Sequence, residues 1–316
     1  MTTEATLRTV NGKPTLRFER RLAHPPAKVW RAVSDPAEMA HWFPARVEAE
    51  LRPGAPMRFT FPDEAVVDGG WDGEVLEVDP PKVFMFRWND DVLRIELIPV
   101  DDGCLLVFTQ TIGGGEVGLL GAGRTAAGWD TCLDELDGQL DGETVPPRTD
   151  WLGPMERYIE KFGLGAGTVR ATGAGYELHF ARDLVWKPVD DAWGVLVEDA
   201  APQVGGEPPA RATNGYVPAG EVTAVDAPRV LEYGWLHDGA QAGTVRWEFL
   251  SDPELGVRLE LKQTLPAHLA GLRATALAAW HVQLEQFFAA THGEIRCPWP
   301  ADRTEQLIKH YAAQLG

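Results

Sequence analysis

The feature that most constrains this 316-residue chain is that its second half repeats its first half. Residues 73–88 align without a gap on residues 220–235, and Gly, Glu, Val, Val, Asp, Pro, Val and Trp recur at matching positions. Repetition at such a long period indicates two copies of one folding unit. We therefore predict two domains of one design, residues 1–165 and residues 166–316.

Each half closes on a segment with helical spacing. The apolar residues of the first segment are Trp129, Leu133, Leu136 and Leu140, and Trp280, Leu284, Phe287 and Thr291 have the same spacing in the second. Steps of four, three and four place each set on one stripe of a helix. The pattern predicts a long helix whose Trp-bearing face packs against the core of its own domain.

Alternating strand patterns fill the first half before that helix. The predicted strands are 15–22, 46–51, 57–61, 71–78, 83–88, 93–100 and 105–111, with short helices at 27–33 and 37–41. Turn residues separate neighbouring strands, which favours antiparallel pairing.

Three segments depart from this plan. Residues 113–118 and 163–175 are rich in glycine and are interpreted as flexible connections, with an accessory helix predicted at 151–162. Residues 198–215 replace the second short helix in the second copy, and their Pro, Gly and Ala content predicts that this helix is lost or remodelled.

Charge and composition exclude several classes of function. The net charge of −18 disfavours binding to nucleic acid, because phosphates would be repelled. The three cysteines, Cys104, Cys132 and Cys297, lack CxxC spacing and are interpreted as thiols in a reducing compartment. With neither a signal peptide nor an apolar run of ~20 residues, we expect a cytoplasmic protein without a membrane span, metal or cofactor.

Four motifs carry a resemblance to a known family. They are Pro-Pro-Ala-Lys-Val-Trp at 25–30, Asp-Pro-X-X-Met-X-X-Trp-Phe at 35–43, the strand pair 73–88, and Ala-Gly-Trp-X-X-X-Leu-X-X-Leu at 127–136. Together with the element order, they resemble the AHSA-like branch of the SRPBCC superfamily, named for homology to an activator of the heat-shock-protein-90 ATPase. The resemblance is strong over about residues 14–163 and weaker over 175–316.

This resemblance implies an α+β fold of two helix-grip (START-like, Bet v allergen-like) domains. In that fold a curled antiparallel sheet holds a long C-terminal helix and leaves a cavity between them. Superfamily members bind lipids, sterols or polyketides, and some are aromatase/cyclases, so the resemblance predicts the fold better than the activity.

A hydrophobic cavity needs a few polar groups among apolar walls, which gives a set of candidate ligand-binding residues. In the first domain they are Trp42, Phe43, Trp71, Trp88, Gln110, Trp129 and Cys132. In the second domain they are Trp235, Trp247, Gln263, Trp280 and His281. For each aromatic residue, the sequence favours packing in the core over contact with a ligand, since a Trp buries roughly 150–250 Å².

Three functions follow, in the order in which the sequence favours them. The first is a non-catalytic protein that binds a hydrophobic small molecule, such as a lipid or an aromatic metabolite. The second is a polyketide cyclase-like or hydrolase-like enzyme that uses His41, or the pair Arg94 and Glu96, as polar groups in the cavity. The third is a chaperone-associated protein, suggested by the family name. No metal-binding His/Cys spacing and no nucleophile elbow supports catalysis. For Arg94 and Glu96, the sequence favours an exposed pair on the outer sheet face over a polar anchor in the cavity.

Overall fold

The computed structural model describes residues 3–61, 70–185, 187–253 and 255–316. The chain divides into two compact units, residues 1–162 and residues 163–316. Each unit combines one antiparallel sheet with a long helix, which is the predicted α+β class.

Within the described residues, the first unit has eight strands in one sheet. They are β1 (Thr3–Val10), β2 (Lys13–Leu22), β3 (Arg46–Ala49), β4 (Pro56–Thr60), β5 (Gly70–Asp79), β6 (Val83–Trp88), β7 (Asp91–Val100) and β8 (Gly103–Thr111). Their order across the sheet is β1-β2-β8-β7-β6-β5-β4-β3, and every neighbouring pair is antiparallel. The predicted alternation is visible on β2, where Leu16 and Phe18 are buried while Arg17 between them is exposed.

The helices of the first unit are α1 (Pro26–Ser34), α2 (Pro36–Met39), α3 (Gly115–Leu120), α4 (Ala122–Asp141) and α5 (Leu152–Lys161). Asp35 caps α2 by accepting a hydrogen bond from the Ala37 backbone N–H at 2.9 Å. Gly142 ends α4 with a φ of 75°, a conformation that glycine adopts without strain. The predicted stripe of α4 is buried, and the Trp129 ring lies 4.5 Å from that of Phe108 on β8.

The first unit differs from the prediction in two places. The sequence predicts no strand before residue 15, yet β1 pairs with β2 as an edge strand. Residues 113–118 were interpreted as a flexible connection, yet α3 begins at Gly115. Gly118 is required there for packing, since a Cβ would lie 1.9 Å from the Gly113 carbonyl oxygen.

The second unit has six strands in one sheet among the described residues. They are β9 (Thr168–Thr172), β10 (Gly175–Asp183), β11 (Ala219–Asp226), β12 (Val230–His237), β13 (Ala240–Asp252) and β14 (Gly256–Pro266), in the order β11-β12-β13-β14-β10-β9. Its α-helices are α6 (Val189–Val197), α7 (Arg273–Thr291) and α8 (Ala301–Leu315), and short 3-10 helices lie at Ala210–Ala212 and Ala267–Leu272. Residues 163–175, predicted as a flexible linker, hold β9 and the start of β10, because their glycines accompany a regular hairpin rather than a spacer.

The segment that replaces the second short helix behaves as its composition predicts. Between residues 198 and 215 the chain has only the 3-10 turn at Ala210–Ala212. The segment still bonds to the sheet as its counterpart does: Gly205 donates to the Val222 carbonyl at 2.9 Å, and Val222 donates to that of Gly206. Residues 54–55 make the same two bonds to Val75, which shows how closely the backbones correspond.

Candidate functional site

A cluster of aromatic rings lies between the sheet and α4 in the first unit. Its members are Phe43, Phe59, Phe61, Trp71, Trp88 and Trp129. Phe43 is central, with ring centroids 5.3 Å from Trp88 and 5.5 Å from Trp129. The structure therefore brings together four of the predicted candidates, Phe43, Trp71, Trp88 and Trp129.

The turn after α2 aims Phe43 into this cluster. Backbone N–H groups of Trp42 and Phe43 both donate to the Met39 carbonyl, which coils the chain so that both rings point inward. The Trp42 indole N–H donates to the Ala32 carbonyl at 2.9 Å, and its ring meets Phe43 edge-on at 5.6 Å. Trp42 thus packs against Phe43, and its hydrogen bond to Ala32 joins this turn to α1.

Gly73 allows the sheet side of the cluster to close. It pairs with Trp88 across β5 and β6, and Phe59 on β4 stacks on Trp88 at 4.8 Å. A Cβ at Gly73 would lie 2.7 Å from the Phe59 ring and 2.2 Å from the Arg87 carbonyl oxygen. The absence of a side chain at this position is therefore a condition for the stack.

A line of buried hydrogen bonds holds α4 to the last two strands. The Trp129 indole N–H donates to Gln110 Oε1 at 2.5 Å, and Gln110 Nε2 in turn donates to Asp91 Oδ2. The other oxygen of Asp91 accepts the Gly113 backbone N–H at 2.7 Å. Burial raises the pKa of Asp91 above its usual range, while these two donors act in the opposite direction.

The cluster reaches the surface at Phe61 and Trp71, which are half-buried. Their rings lie 5.3 Å apart, and each is 5.8 Å from Trp88. Trp88 itself is buried, and its indole N–H has no hydrogen-bond partner among the described residues. A buried donor without an acceptor is costly, so this N–H marks a point where a further polar atom would be stabilising.

Cys132, another predicted candidate, is buried on α4. Burial, with a smaller contribution from Glu135, raises the pKa of its thiol to about 12. The group therefore remains protonated at neutral pH, which suits apolar packing rather than nucleophilic chemistry.

An open cleft of about 650 Å³ lies beside α4, on the side of α1 and α2. It is lined by Asp35, Ala37, Glu38, His41, Glu135, Gln139, Glu143, Thr144 and Val145. Burial raises the pKa of the Glu135 carboxyl, and the neighbouring Asp134 adds to that shift. His41, predicted as an acid–base candidate, thus lies in a strongly acidic cleft rather than in the aromatic cluster.

The pair Arg94 and Glu96 lies on the half-exposed face of β7. Arg94 contacts Glu77 on the neighbouring strand at 2.6 Å and Glu96 at 3.9 Å, with 34% and 42% of the Arg94 and Glu96 side chains exposed. This is the exposed arrangement that the sequence left open, and it removes the pair from the interior of the fold. Arg246 repeats it in the second unit with Glu232 and Glu248.

The candidate tryptophans of the second unit are buried and donate hydrogen bonds within that unit. Trp235 donates its indole N–H to the Thr264 carbonyl at 2.8 Å, Trp247 to the Ala212 carbonyl at 3.2 Å and Trp280 to Gln263 Oε1 at 2.7 Å. Trp247 and Trp280 also meet edge-on at 6.1 Å. Gln263, in contrast, has a buried Nε2 with no partner among the described residues.

His281 follows Trp280 on α7 and faces α8. Its Nδ1 is hydrogen-bonded to the Tyr311 hydroxyl at 2.8 Å, and its Nε2 lies 3.4 Å from Glu285. Burial lowers the pKa of His281 below its usual range, Glu285 raises it, and the nearby Arg182 lowers it further. Through these contacts His281 links α7 to α8.

A smaller cleft of about 230 Å³ occupies the corresponding place beside α7. Its lining residues are Glu198, Ala210, Arg211, Thr213, Gln283, Gln286, Phe287, Ala290, Ile295 and Arg296. Counting from the matching tryptophans, Gln286 takes the place of Glu135 and Arg296 that of Val145. The two clefts therefore occupy corresponding positions in their units, but their lining residues differ in charge.

No helix in the described part of the chain is long and apolar enough to cross a bilayer. No group of three His, Cys, Asp or Glu side chains among those same residues has the arrangement of metal ligands.

Sequence reasoning missed several residues that shape the interior. Asp91 gave no signal because it stands in a turn-like Asn-Asp-Asp run, although the structure makes it an acceptor inside the fold. Arg20 and Arg182 each stand two residues after a repeated Phe, and Tyr158 and Tyr311 repeat on the last helices. The repetition of buried Arg and Tyr residues was the signal that could have revealed these polar cores.

Comparison with known proteins finds a family model that is similar to part of the first unit. The sequence model of the family described as Activator of Hsp90 ATPase homolog 1-like protein matches residues 23–141, from just before α1 to the end of α4. Residues 23–141 are therefore similar to this family, as the motifs predicted. No match was found among curated proteins.

Several solved structures are similar to this chain. A conserved protein of unknown function from Enterococcus faecalis is 22% identical, with 50% of this chain and 90% of that chain covered and a TM-score of 0.44. The crystal structure of CalU16 from Micromonospora echinospora is 23% identical, with 51% and 96% covered and a TM-score of 0.41. A protein from Mesorhizobium loti is 26% identical, with 42% and 99% covered and a TM-score of 0.37.

Proposed function

We propose that this protein, whose first unit is an AHSA1-like domain, binds a hydrophobic, ring-bearing small molecule at the aromatic cluster of that unit. The observation that carries this proposal is the continuity of the rings from the buried Trp129 and Phe43 to the half-buried Phe61 and Trp71. Apolar and aromatic walls with few polar groups are typical of small-molecule sites.

The outer rings would supply the contact area for such a molecule. Phe61 and Trp71 meet edge-on, an arrangement that a flat ring can extend by stacking on either face. Trp129 and Gln110 close the inner end through their hydrogen bond, so the inner wall is fixed while the outer wall is half-buried. A ligand would therefore meet the cluster first at the half-buried rings of Phe61 and Trp71.

Thermal-shift and tryptophan-fluorescence titrations against fatty acids, sterols and fused-ring aromatic compounds test this function. We expect the aromatic compounds to raise the melting temperature, since a ligand that binds only the folded state stabilises it. Trp71→Ala removes half of the outer wall and is expected to weaken binding about tenfold, in the range seen for buried aromatic contacts. Trp151→Ala is the matched control, because Trp151 is exposed elsewhere in the same unit.

Two outcomes would count against this function. Either the full panel leaves the melting temperature unchanged, or Trp71→Ala and Trp151→Ala weaken binding equally. The second result would place the bound compound outside the aromatic cluster.

A second candidate function is cyclase-like or hydrolase-like catalysis in the acidic cleft. The observation that favours it is that His41 and Glu135 line the same cleft, where burial raises the pKa of Glu135. Turnover of an aromatic polyketide or ester that is lost in both His41→Ala and Glu135→Gln would support this reading. Turnover that survives in both variants would remove it.

A further inference from the structure

The indole N–H of Trp88 is a buried donor with no hydrogen-bond acceptor among the described residues. Trp88 is buried on the inward face of β6 among Phe43, Phe59 and Trp71, and its Nε1 has no hydrogen-bond partner in the described part of the chain. Rings surround the indole, and ring carbons cannot accept a strong hydrogen bond. Leaving such a donor unpaired typically costs a large part of a hydrogen bond, so retaining a Trp here needs a reason.

The equivalent residue of the second unit shows that the donor can be satisfied from within. Trp235 aligns with Trp88 in the repeat, and its indole N–H donates to the Thr264 carbonyl at 2.8 Å. Gly243 makes room for this bond, because a Cβ there would lie 2.7 Å from Trp235 Nε1. In the first unit, Asp91 occupies the matching place opposite Trp88.

The Asp91 carboxylate does not accept a hydrogen bond from the Trp88 N–H. Its two oxygens already accept from Gln110 Nε2 and from the Gly113 backbone N–H. It does place negative charge across the strand pair from Trp88, because residues directly opposite in an antiparallel pair have neighbouring side chains. An anionic group beside Trp88 would therefore be repelled, whereas a neutral acceptor would not.

We propose that the site in the first unit selects neutral, flat-ring molecules bearing a carbonyl or ether oxygen, with Trp88 Nε1 as the donor to that oxygen. The second unit lacks this selectivity because Trp235 is bonded internally. This inference rests on the proposed function, since it names the ligand class for the same aromatic cluster. It makes Trp88 the residue that determines specificity.

A matched set of three probes tests the inference on the full-length protein. β-Acetylnaphthalene carries the neutral acceptor, β-ethylnaphthalene has nearly the same shape without it, and β-naphthoate carries an anion. We expect the ketone to bind about five- to tenfold more tightly than the hydrocarbon, which is the effect of one hydrogen bond to an otherwise unpaired donor. We expect β-naphthoate to bind more weakly than the ketone.

Two variants locate the donor. Trp88→Phe keeps an aromatic ring and removes the N–H, so the ratio between ketone and hydrocarbon should fall to about one. Trp235→Phe removes the matching N–H of the second unit and should leave the ratio as it is. The carbonyl stretch of the bound ketone, measured by infrared spectroscopy in the unaltered protein, should shift to lower frequency, and this readout does not depend on how a variant folds.

The outcomes separate this inference from the function on which it rests. If both naphthalenes bind equally and the carbonyl stretch does not shift, the inference is overturned while the proposed function stands. A ratio that persists in Trp88→Phe overturns it as well. If neither naphthalene binds at all, the proposed function and the inference fail together.

Discussion

In the first unit the buried Arg20 faces a carboxylate, whereas in the second unit the equivalent Arg182 lies beside a histidine. Arg20 contacts Asp130 at 2.5 Å, and the Tyr158 hydroxyl donates to the other oxygen of Asp130. Arg182 donates instead to backbone carbonyls, those of Gly165 at 2.5 Å and Ala181 at 2.9 Å. The residue that follows the helix Trp thus decides how a buried cation is balanced.

The two units therefore surround the equivalent buried arginine with different charges, although the backbone arrangement around it is the same. Burial lowers the pKa of Arg182 to about 10, so its guanidinium still carries a charge at neutral pH. Tyr311 keeps the place of Tyr158, with its hydroxyl accepting the Gly167 N–H at 2.9 Å as Tyr158 accepts that of Ala5. The first unit therefore depends on an ion pair, and the second unit depends on backbone carbonyls and a neutral imidazole.

The largest expected effect comes from removing that ion pair. Asp130→Asn leaves the Arg20 charge buried without its carboxylate, and breaking such a pair typically costs about 3–5 kcal/mol of unfolding free energy. The matched variant His281→Asn removes no partner charge from Arg182 and should cost about 1 kcal/mol. Hydrogen exchange on the full-length protein reads the two units separately through α4 and α7. Equal losses of protection in the two variants would show that the two polar cores do not differ as described.

A second difference concerns the glutamine that meets the helix Trp. Gln110 bridges Trp129 and Asp91, whereas Gln263 bonds Trp280 and leaves its Nε2 unpaired among the described residues. Gln110→Leu leaves two groups without a partner and should cost about 2–3 kcal/mol. Gln263→Leu leaves only the Trp280 N–H without a partner and also removes the unpaired Nε2. A loss of about 1 kcal/mol of unfolding free energy is therefore expected. A larger loss for Gln263→Leu, measured by urea unfolding followed through exchange, would contradict this ordering.

Much of this fold could be predicted because repetition and alternation report on apolar packing. The stripe from Trp129 to Leu140 and strand β6 are where the sequence placed them, and the region 198–215 lacks a second helix as its composition indicated. Edge strands are harder to predict, since β1 has a backbone partner on one side and little apolar surface to bury. Local pattern therefore succeeds where burial dictates residue type and fails where backbone pairing does.

The candidate site was predictable in its aromatic residues and in Gln110. Phe43, Trp88 and Trp129 were found because large apolar residues at strand and helix positions point inward. Asp91 could not be found, because its role depends on the register between β7 and β8, which places it next to Gln110 in space. The orphan N–H of Trp88 is likewise a property of three-dimensional packing that no spacing in the sequence reveals.

We expect His281 to make the stability of the second unit depend on pH between about 5 and 6.5. Its pKa is lowered chiefly by burial, so the unfolded chain binds a proton more readily than the native unit does. The stabilisation is complete above the usual His pKa of about 6.5 and decreases as pH falls below it. Facing groups set the size of the effect: Arg182 and Arg303 lower the pKa of His281, Glu285 raises it, and Tyr311 is its hydrogen-bond partner.

The expected measurement is a fall in the stability of the second unit of up to about 1.4 kcal/mol per pH unit between pH 6.5 and pH 5. Exchange protection in α7 should decrease over this range while protection in α4 changes less. His281→Gln should flatten the dependence of α7. Glu285, whose pKa is lowered to about 2 with His281 and Arg303 as its stabilising partners, contributes a separate loss only below its usual value. An unchanged slope in His281→Gln would assign the pH dependence to another group.

The smallest effect is expected where the two units are most alike. Arg94 and Arg246 each bridge two carboxylates on a half-exposed sheet face, and exposed ion pairs contribute little because water screens them. Arg94→Ala and Arg246→Ala should each change the unfolding free energy by less than about 0.5 kcal/mol, and binding at the aromatic cluster should not respond to either. Chemical denaturation together with the probe titrations checks both statements. A tenfold loss of binding in Arg94→Ala alone would contradict this prediction, because it would show that Arg94 contributes to the binding site. The difference between the units would then come from the sheet face of the first unit rather than from its aromatic cluster.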